Sequence, residues 1–278
     1  MHVPNQYVQR FLLFRSLAID PSLSLMPGFA SKSQINKLGE RLAKNAVPEE
    51  ADLVLLQKLR AAYDEPMRAV ERTLRGLGLQ ATSRLKTVNT IVDKLKRERT
   101  RLSTMQDIAG LRIVKDMTLT EQGEIAGRVV AAFGEAKLVD RRERPSFGYR
   151  ALHVIVTLDD CLIEVQLRTE LQDLWAQLME KFGDKIGRGI RYGAIPEDPY
   201  AAKLLTAHMD VSKRIREVEK VSIVVDETAQ ELARTPSNSS EYPGMLATYK
   251  LIKSTLDGKR IVLMELLKKQ LEVLGQGE

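Results

Sequence analysis

A single cysteine, Cys161, leaves the chain no internal disulfide, so packing must hold the fold and a reducing, cytoplasmic setting is expected. Histidines are almost as scarce. His2, His153 and His208 are the only three, and their spacing fits no zinc site. No apolar run approaches the roughly 18 residues of a membrane span, and the Phe11-Leu-Leu-Phe14 patch is too short and interrupted for a secretory signal. The glycine-rich phosphate loops are missing too. Neither G-x-x-x-x-G-K-[ST] nor G-x-G-x-x-G occurs, and Gly187-Arg-Gly-Ile-Arg-Tyr-Gly193 fits neither. The G-x-S-x-G elbow and the kinase signature set are likewise absent. An enzyme of this sequence that uses a nucleotide must grip phosphate by other means.

What is present is an ordinary globular composition, 44% hydrophobic and 29% charged, over 278 residues, enough for one domain with helical additions or for two. The formal charge of +6 is small, so its placement carries the information. The chain divides into a helical extension (1–79), a mixed α+β segment (80–195) and a second helical extension (196–278). Within the first, Pro4, Pro21 and Pro27 break up an approach segment reaching to about residue 47. Leu53, Leu56, Leu59, Tyr63, Val70 and Leu74 then recur at helical spacing from Pro48 to about Leu79. Pro48 suits a first turn, and Pro66 predicts a kink or two helices.

The middle segment alternates strand and helix signals. Thr87 opens a basic helix through Arg99, and Leu111–Val114 reads as a strand. Thr118-Leu-Thr-Glu121 is a capping box for a helix to about Phe133. Strands are expected over 136–142, 151–158 and 161–168, the last two joined by a tight Asp159-Asp160 turn. Thr169-Glu-Leu-Gln172 caps another helix through about Phe182. Asp198-Pro199 starts a long helix towards Ala233, Thr235–Ser240 breaks it, and 242–274 forms a last, basic-flanked helix.

Two carboxylates stand out. Asp107 precedes the first central strand, where it could be a plain turn residue. Glu164 interrupts Leu162-Ile-Glu-Val-Gln-Leu167, where alternation places Glu164, Gln166 and Arg168 on one face. On pattern alone that face is a solvated one. A facing pair of carboxylates instead suits Mg²⁺, which takes one or two carboxylates together with phosphate oxygens and water, and either could act as a base towards a hydroxyl. Arg84 and Lys86 alternate along an extended stretch, and Thr90, Lys94 and Arg97 recur at helical spacing, so they can line one face. That face could hold a polyphosphate or simply face solvent. Lys137, Arg141, Arg142 and Arg144 form a second basic cluster. Gly148-Tyr149-Arg150 can set a ring beside a nucleobase or serve as core, and His153 reads most simply as structural.

In order, Arg84-Leu-Lys86, Thr90, Lys94, Asp107-Ile-Ala-Gly-Leu-Arg112, Gly148-Tyr-Arg-Ala-Leu-His153, Glu164-Val-Gln-Leu-Arg-Thr169 and Trp175-Ala176 resemble the synthetase domain of the RelA/SpoT homologues, the alarmone synthetases, from about Thr82 to Gly193. The resemblance implies a mixed sheet of about five strands flanked by helices, of nucleotidyltransferase-like fold. It implies a Mg²⁺-dependent pyrophosphokinase that moves pyrophosphate from ATP to the 3′-hydroxyl of GDP or GTP, giving the alarmone (p)ppGpp of the stringent response.

Residue roles follow from the resemblance. Arg84 and Arg112 would sandwich the adenine, and Lys86, Thr90, Lys94 and Arg97 would hold the ATP phosphates. Asp107 would bind Mg²⁺, and Glu164 would orient or deprotonate the 3′-hydroxyl and touch the metal. Tyr149 would stack on the acceptor base, with Arg150, His153, Gln166 and Arg168 on the acceptor side. The departures are on that side as well. Met179-Glu180 replaces a Glu-His pair, although Lys185 is kept, and Arg144-Pro-Ser-Phe147 replaces a lysine-containing loop. Some compact relatives are toxins paired with an antitoxin, and pyrophosphorylate the tRNA 3′-CCA end or make adenosine alarmones. The basic last helix suits a tRNA footprint, an oligomer contact or solvent equally. Small relatives are often homo-oligomers.

Overall fold

The computed structural model describes residues 31–275, so the reading of the first 30 residues, including Phe11–Phe14, lies outside it. The described residues open on three helices: α1 (Lys32–Lys44), α2 (Glu50–Ala62) and α3 (Asp64–Gly76). Pro66 is tolerated because it falls in the first turn of α3, where its missing N–H costs no hydrogen bond; hence two helices meeting at Tyr63. Pro48 is not in the first turn as expected, since Glu49 caps α2 and the helix begins at Glu50.

The central segment builds one five-stranded mixed sheet from β1 (Thr82–Leu85), β2 (Ala109–Lys115), β3 (Ala136–Asp140), β4 (Leu152–Leu158) and β5 (Cys161–Thr169), in the order β1-β2-β5-β4-β3. Only β2 and β5 run parallel. Helices α4 (Val88–Glu98), α5 (Leu119–Ala132) and α6 (Glu170–Ile186) connect or follow the strands. Thr87, Thr118 and Thr169 each cap a helix through the side-chain oxygen, the last two in full capping boxes. β3 ends at Asp140 rather than near 142 because the Asp140 carboxylate accepts from the Arg142 N–H (2.8 Å) and turns the chain. Asp159 and Asp160 both adopt positive φ (51° and 59°), the geometry of a two-residue hairpin turn. α6 runs one turn past Phe182 and ends at Gly187, φ 117°.

The long helices α7 (Pro199–Arg234) and α8 (Tyr242–Gly275) complete the chain. The two faces of β5 lead to two environments. Ile163, Val165 and Leu167 are fully buried in a cluster shared with α1–α5. The opposite face meets α6, whose Leu171, Trp175, Leu178 and Phe182 join α7 and α8 in a second cluster through Ile215, Leu256, Leu263 and Leu267. The polar face of β5 is therefore not solvated: Glu164 is 9% exposed and Arg168 3%. Cys161 is buried at the hairpin with its thiol pushed up to about 12, chiefly by that burial, which leaves it protonated and unreactive at neutral pH. Among the described residues no helix is long and apolar enough to cross a membrane.

Candidate active site

The strand register brings the site together. Arg84 lies opposite Gly110, which lies opposite Glu164; one step along, Thr82, Arg112 and Gln166 are aligned in the same way. Directly paired residues share a face, so this face of β1-β2-β5 presents Arg84, Arg112, Glu164 and Gln166 around the bare backbone of Gly110. Above it, α4 contributes Thr90, Asp93 and Arg97 at helical spacing. The result is a cleft of about 430 Å³, lined by seven arginine or lysine residues against four carboxylates.

Asp107 occupies the turn before β2. Lys86 and Lys94 reach one carboxylate oxygen each, at 2.6 and 2.9 Å. Burial pushes the Asp107 carboxyl up, but the two ammonium groups outweigh it and hold the group below the usual carboxylate range. The Lys86 backbone is itself pinned, its carbonyl accepting from Arg60 Nε of α2 (2.8 Å) and its N–H donating to Ile108 (2.8 Å). Helix α2 thus helps aim a cleft lysine.

Glu164 sits in a closed ring of side chains. Its Oε2 accepts from Gln166 Nε2 (2.7 Å) and its Oε1 contacts His153 Nδ1 (2.8 Å). The other imidazole nitrogen of His153 meets the Tyr149 hydroxyl (2.9 Å). Arg168 Nη2 donates to both that hydroxyl (3.1 Å) and Gln166 Oε1 (2.7 Å), closing the circuit. Burial would raise the Glu164 carboxyl; the hydrogen bonds from His153 and Gln166 bring it below its ordinary value despite the Asp107 charge nearby. Asp173 of α6 accepts from Arg168 Nη1 (2.9 Å), and Arg112 lies 3.5 Å from the same oxygen.

Of the residues singled out in the sequence, Arg84, Lys86, Thr90, Arg97, Asp107, Arg112, Glu164, Gln166 and Arg168 line the cleft, and Lys94 reaches in through Asp107. Tyr149 and His153 stand behind Glu164 in the ring. Arg150 is not brought to the cleft. It is buried, its guanidinium on the Arg142 carbonyl among Arg216, Glu143 and Glu219. The second basic cluster also lies elsewhere, with Arg142 bound to Asp140 and the Leu119 carbonyl. Glu180 of α6, known from the sequence only as a departure on the acceptor side, also lines the cleft, and the short 3₁₀ turn Arg188–Tyr192, given no role there, sets Arg188, Arg191 and Tyr192 on the rim. The Arg97 guanidinium stacks over the Tyr192 ring at 3.7 Å. The only hint was the charge in a stretch that resembled a failed glycine loop.

Among the described residues no group of three or more His, Cys, Asp or Glu could cage a metal. Asp107 and Glu164 do open onto one cleft, and two carboxylates suffice for Mg²⁺ when phosphate and water complete its shell. The donor set fits a metal that arrives with a polyphosphate rather than a resident one.

Residues 83–183 match the family described as a region found in RelA / SpoT proteins, and the chain carries a RelA/SpoT-type synthetase domain. It is 38% identical over 177 residues to the uncharacterized protein Rv1366 of Mycobacterium tuberculosis, covering 61% of each chain. The GTP pyrophosphokinase YjbM of Bacillus subtilis is 28% identical over 175 residues, 58% of this chain and 79% of that one. The crystal structure of small alarmone synthetase 1 from Bacillus subtilis aligns with TM-score 0.49 at 24% identity, over 63% of this chain and 98% of that one. The chain thus spans about 61% of the length of the mycobacterial relatives it matches.

Proposed function

We propose that this protein is an ATP-dependent 3′-pyrophosphokinase whose acceptor is GDP or GTP. The observation that carries the reading is the meeting, in one cleft, of a cationic wall from β1 and α4 with two ionised carboxylates, Asp107 in the turn before β2 and Glu164 on β5. The arginines Arg84 and Arg112 offer planar guanidinium faces to an adenine, and Lys86, Lys94, Arg97 and Thr90 offer donors to its phosphates. The acceptor's 3′-oxygen attacks the β-phosphorus of ATP. A new oxygen–phosphorus bond forms, the bond to the α,β-bridging oxygen breaks with its electron pair, and AMP leaves. Glu164, ionised and held at both oxygens, accepts the hydroxyl's hydrogen bond and orients it for in-line attack. The hydroxyl proton leaves to Glu164 or water as the bond forms. Asp107 and Glu164 would hold Mg²⁺, which when bound neutralises phosphate charge. The remaining stabilisation comes from the fixed cations of the cleft.

A panel of acceptors tests this. With γ-labelled ATP, label is expected on GDP or GTP and not on ADP or deacylated tRNA. Label entering only tRNA would replace this reading with the toxin-type one, and an antitoxin partner would then be sought.

A further inference from the structure

The ring around Glu164 has a direction. An arginine side chain has donors only, so the Tyr149 oxygen accepts from Arg168 Nη2 (3.1 Å) and its one proton is free to go to His153 Nε2 (2.9 Å). An imidazole accepting at Nε2 carries its hydrogen on Nδ1, which faces Glu164 Oε1 at 2.8 Å. On the other side Gln166 accepts from the same Arg168 nitrogen (2.7 Å), which turns its amide nitrogen towards Glu164 Oε2 (2.7 Å). Two chains of donors thus start at one guanidinium nitrogen and end on the two oxygens of one carboxylate. The long arm passes through Tyr149 and His153, the short arm through Gln166. Arg168 is in turn fixed by Asp173 at 2.9 Å and is 3% exposed; His153 is 5% exposed.

From this wiring we infer that Tyr149, His153 and Arg168 act in the reaction as positioning residues for Glu164. On this view the Tyr149 hydroxyl has a task of its own beside that of the ring, and His153 spends both nitrogens inside the protein. The inference deepens the proposed function and rests on it. The ring is engaged on its own account, with the Arg168 guanidinium 5.0 Å from its centroid and the His153 ring edge-on at 5.6 Å. Each Glu164 oxygen keeps one lone-pair direction after accepting its donor, so the carboxylate is held in one plane with a free side for the acceptor hydroxyl.

Tyr149→Phe keeps the ring and removes only the hydroxyl. It is expected to lower kcat by about 10–100-fold, the usual cost of losing an orienting partner, while KM for ATP and for the acceptor stays within about twofold. His153→Asn retains a donor at the Nδ1 position and cannot reach Tyr149, so it should lose about as much as Tyr149→Phe. The double variant should lose no more than either single one, because both cut the same arm. An unchanged kcat in Tyr149→Phe, or a rise in acceptor KM as its main effect, would overturn the inference. So would additive losses in the double variant.

A second measurement is independent of turnover. In the full, substrate-free chain, long-range ¹⁵N correlation spectra should show the His153 hydrogen on Nδ1, with Nε2 accepting, and Tyr149→Phe should weaken that preference. An Nε2–H tautomer in the wild type overturns the wiring even if the protein transfers nothing. Failure of the wild type with every acceptor, beside the expected tautomer, overturns the proposed function and leaves the wiring standing.

Discussion

Glu164 and Asp107 solve the same problem by different means. Each is a charge taken largely out of water, and each would rise towards protonation if left alone. Asp107 is kept ionised by two ammonium groups, Glu164 chiefly by hydrogen bonds from His153 and Gln166 aimed at its two oxygens. The difference fits their proposed tasks, since an ammonium can be displaced towards incoming phosphate, whereas a hydrogen-bonded carboxylate stays fixed. Glu164→Gln, which swaps the acceptor oxygen for an amide, is expected to reduce turnover by about 10²–10³-fold with ATP-analogue binding retained, measured by steady-state assay and calorimetry. Gly148 is exacting in another way. It sits at φ 81° in the turn Ser146–Tyr149, and an added Cβ would come within 2.7 Å of Trp175 and 2.8 Å of the Met209 sulfur. Gly148→Ala should cost about 1–3 kcal/mol in chemical denaturation and displace Tyr149 from the ring, lowering kcat as well.

Among the elements, α7 and α8 support the site from behind. Ser212 donates to the Gly148 carbonyl (2.5 Å), Trp175 Nε1 donates to the His208 carbonyl (2.8 Å), and Glu219 accepts from Gln172 (3.0 Å) at the start of α6. Leu267, fully buried, anchors α8 in the cluster with α6, whereas Val262 of the same helix is 64% exposed. Leu267→Ala should destabilise the protein by about 2–5 kcal/mol and Val262→Ala by no more than about 0.5 kcal/mol, read from thermal or urea melts.

The helices were legible in the sequence because their ends carry local chemistry: Thr118 with Glu121, Thr169 with Gln172, Asp198 with Pro199. β1 was visible only as an extended stretch, since three exposed residues and the half-buried Leu85 on an edge strand show no alternation. Alternation correctly grouped Glu164, Gln166 and Arg168 on one face. It pointed to solvent because the cover comes from Tyr149, His153 and α6, which lie outside the strand whose alternation was read. Arg150 looked like a site residue beside Tyr149, but its guanidinium is buried on the Arg142 carbonyl, near Glu219 of α7.

On the scale of the whole molecule, two apolar clusters flank a polar cleft, and the second contains buried ionisable groups with opposite pH signatures. Burial lowers His208 from its ordinary 6.5, so the unfolded chain binds that proton more readily and stability falls as pH drops below about 6.5 through the folded value. Burial raises Glu219 from its ordinary 4.5, despite hydrogen bonds from Thr169 and Gln172, so its contribution is present below about 4.5 and is lost as pH rises through the folded value. Melting temperatures across pH should accordingly show His208→Gln losing less stability than wild type on acidification, and Glu219→Gln gaining on it as pH rises.

The proposed function requires that pyrophosphate, not a single phosphate, move from ATP to a nucleotide 3′-hydroxyl in the Asp107–Glu164 cleft. Its most direct measurement follows purified protein with γ-labelled ATP, GDP and Mg²⁺, quantifying adenosine products and labelled guanosine nucleotide together. AMP and 3′-pyrophosphorylated guanosine nucleotide are expected in equal amounts from the wild type, and about 10²–10³-fold less of both from Glu164→Gln. ADP as the adenosine product, or undiminished transfer by Glu164→Gln, would contradict it.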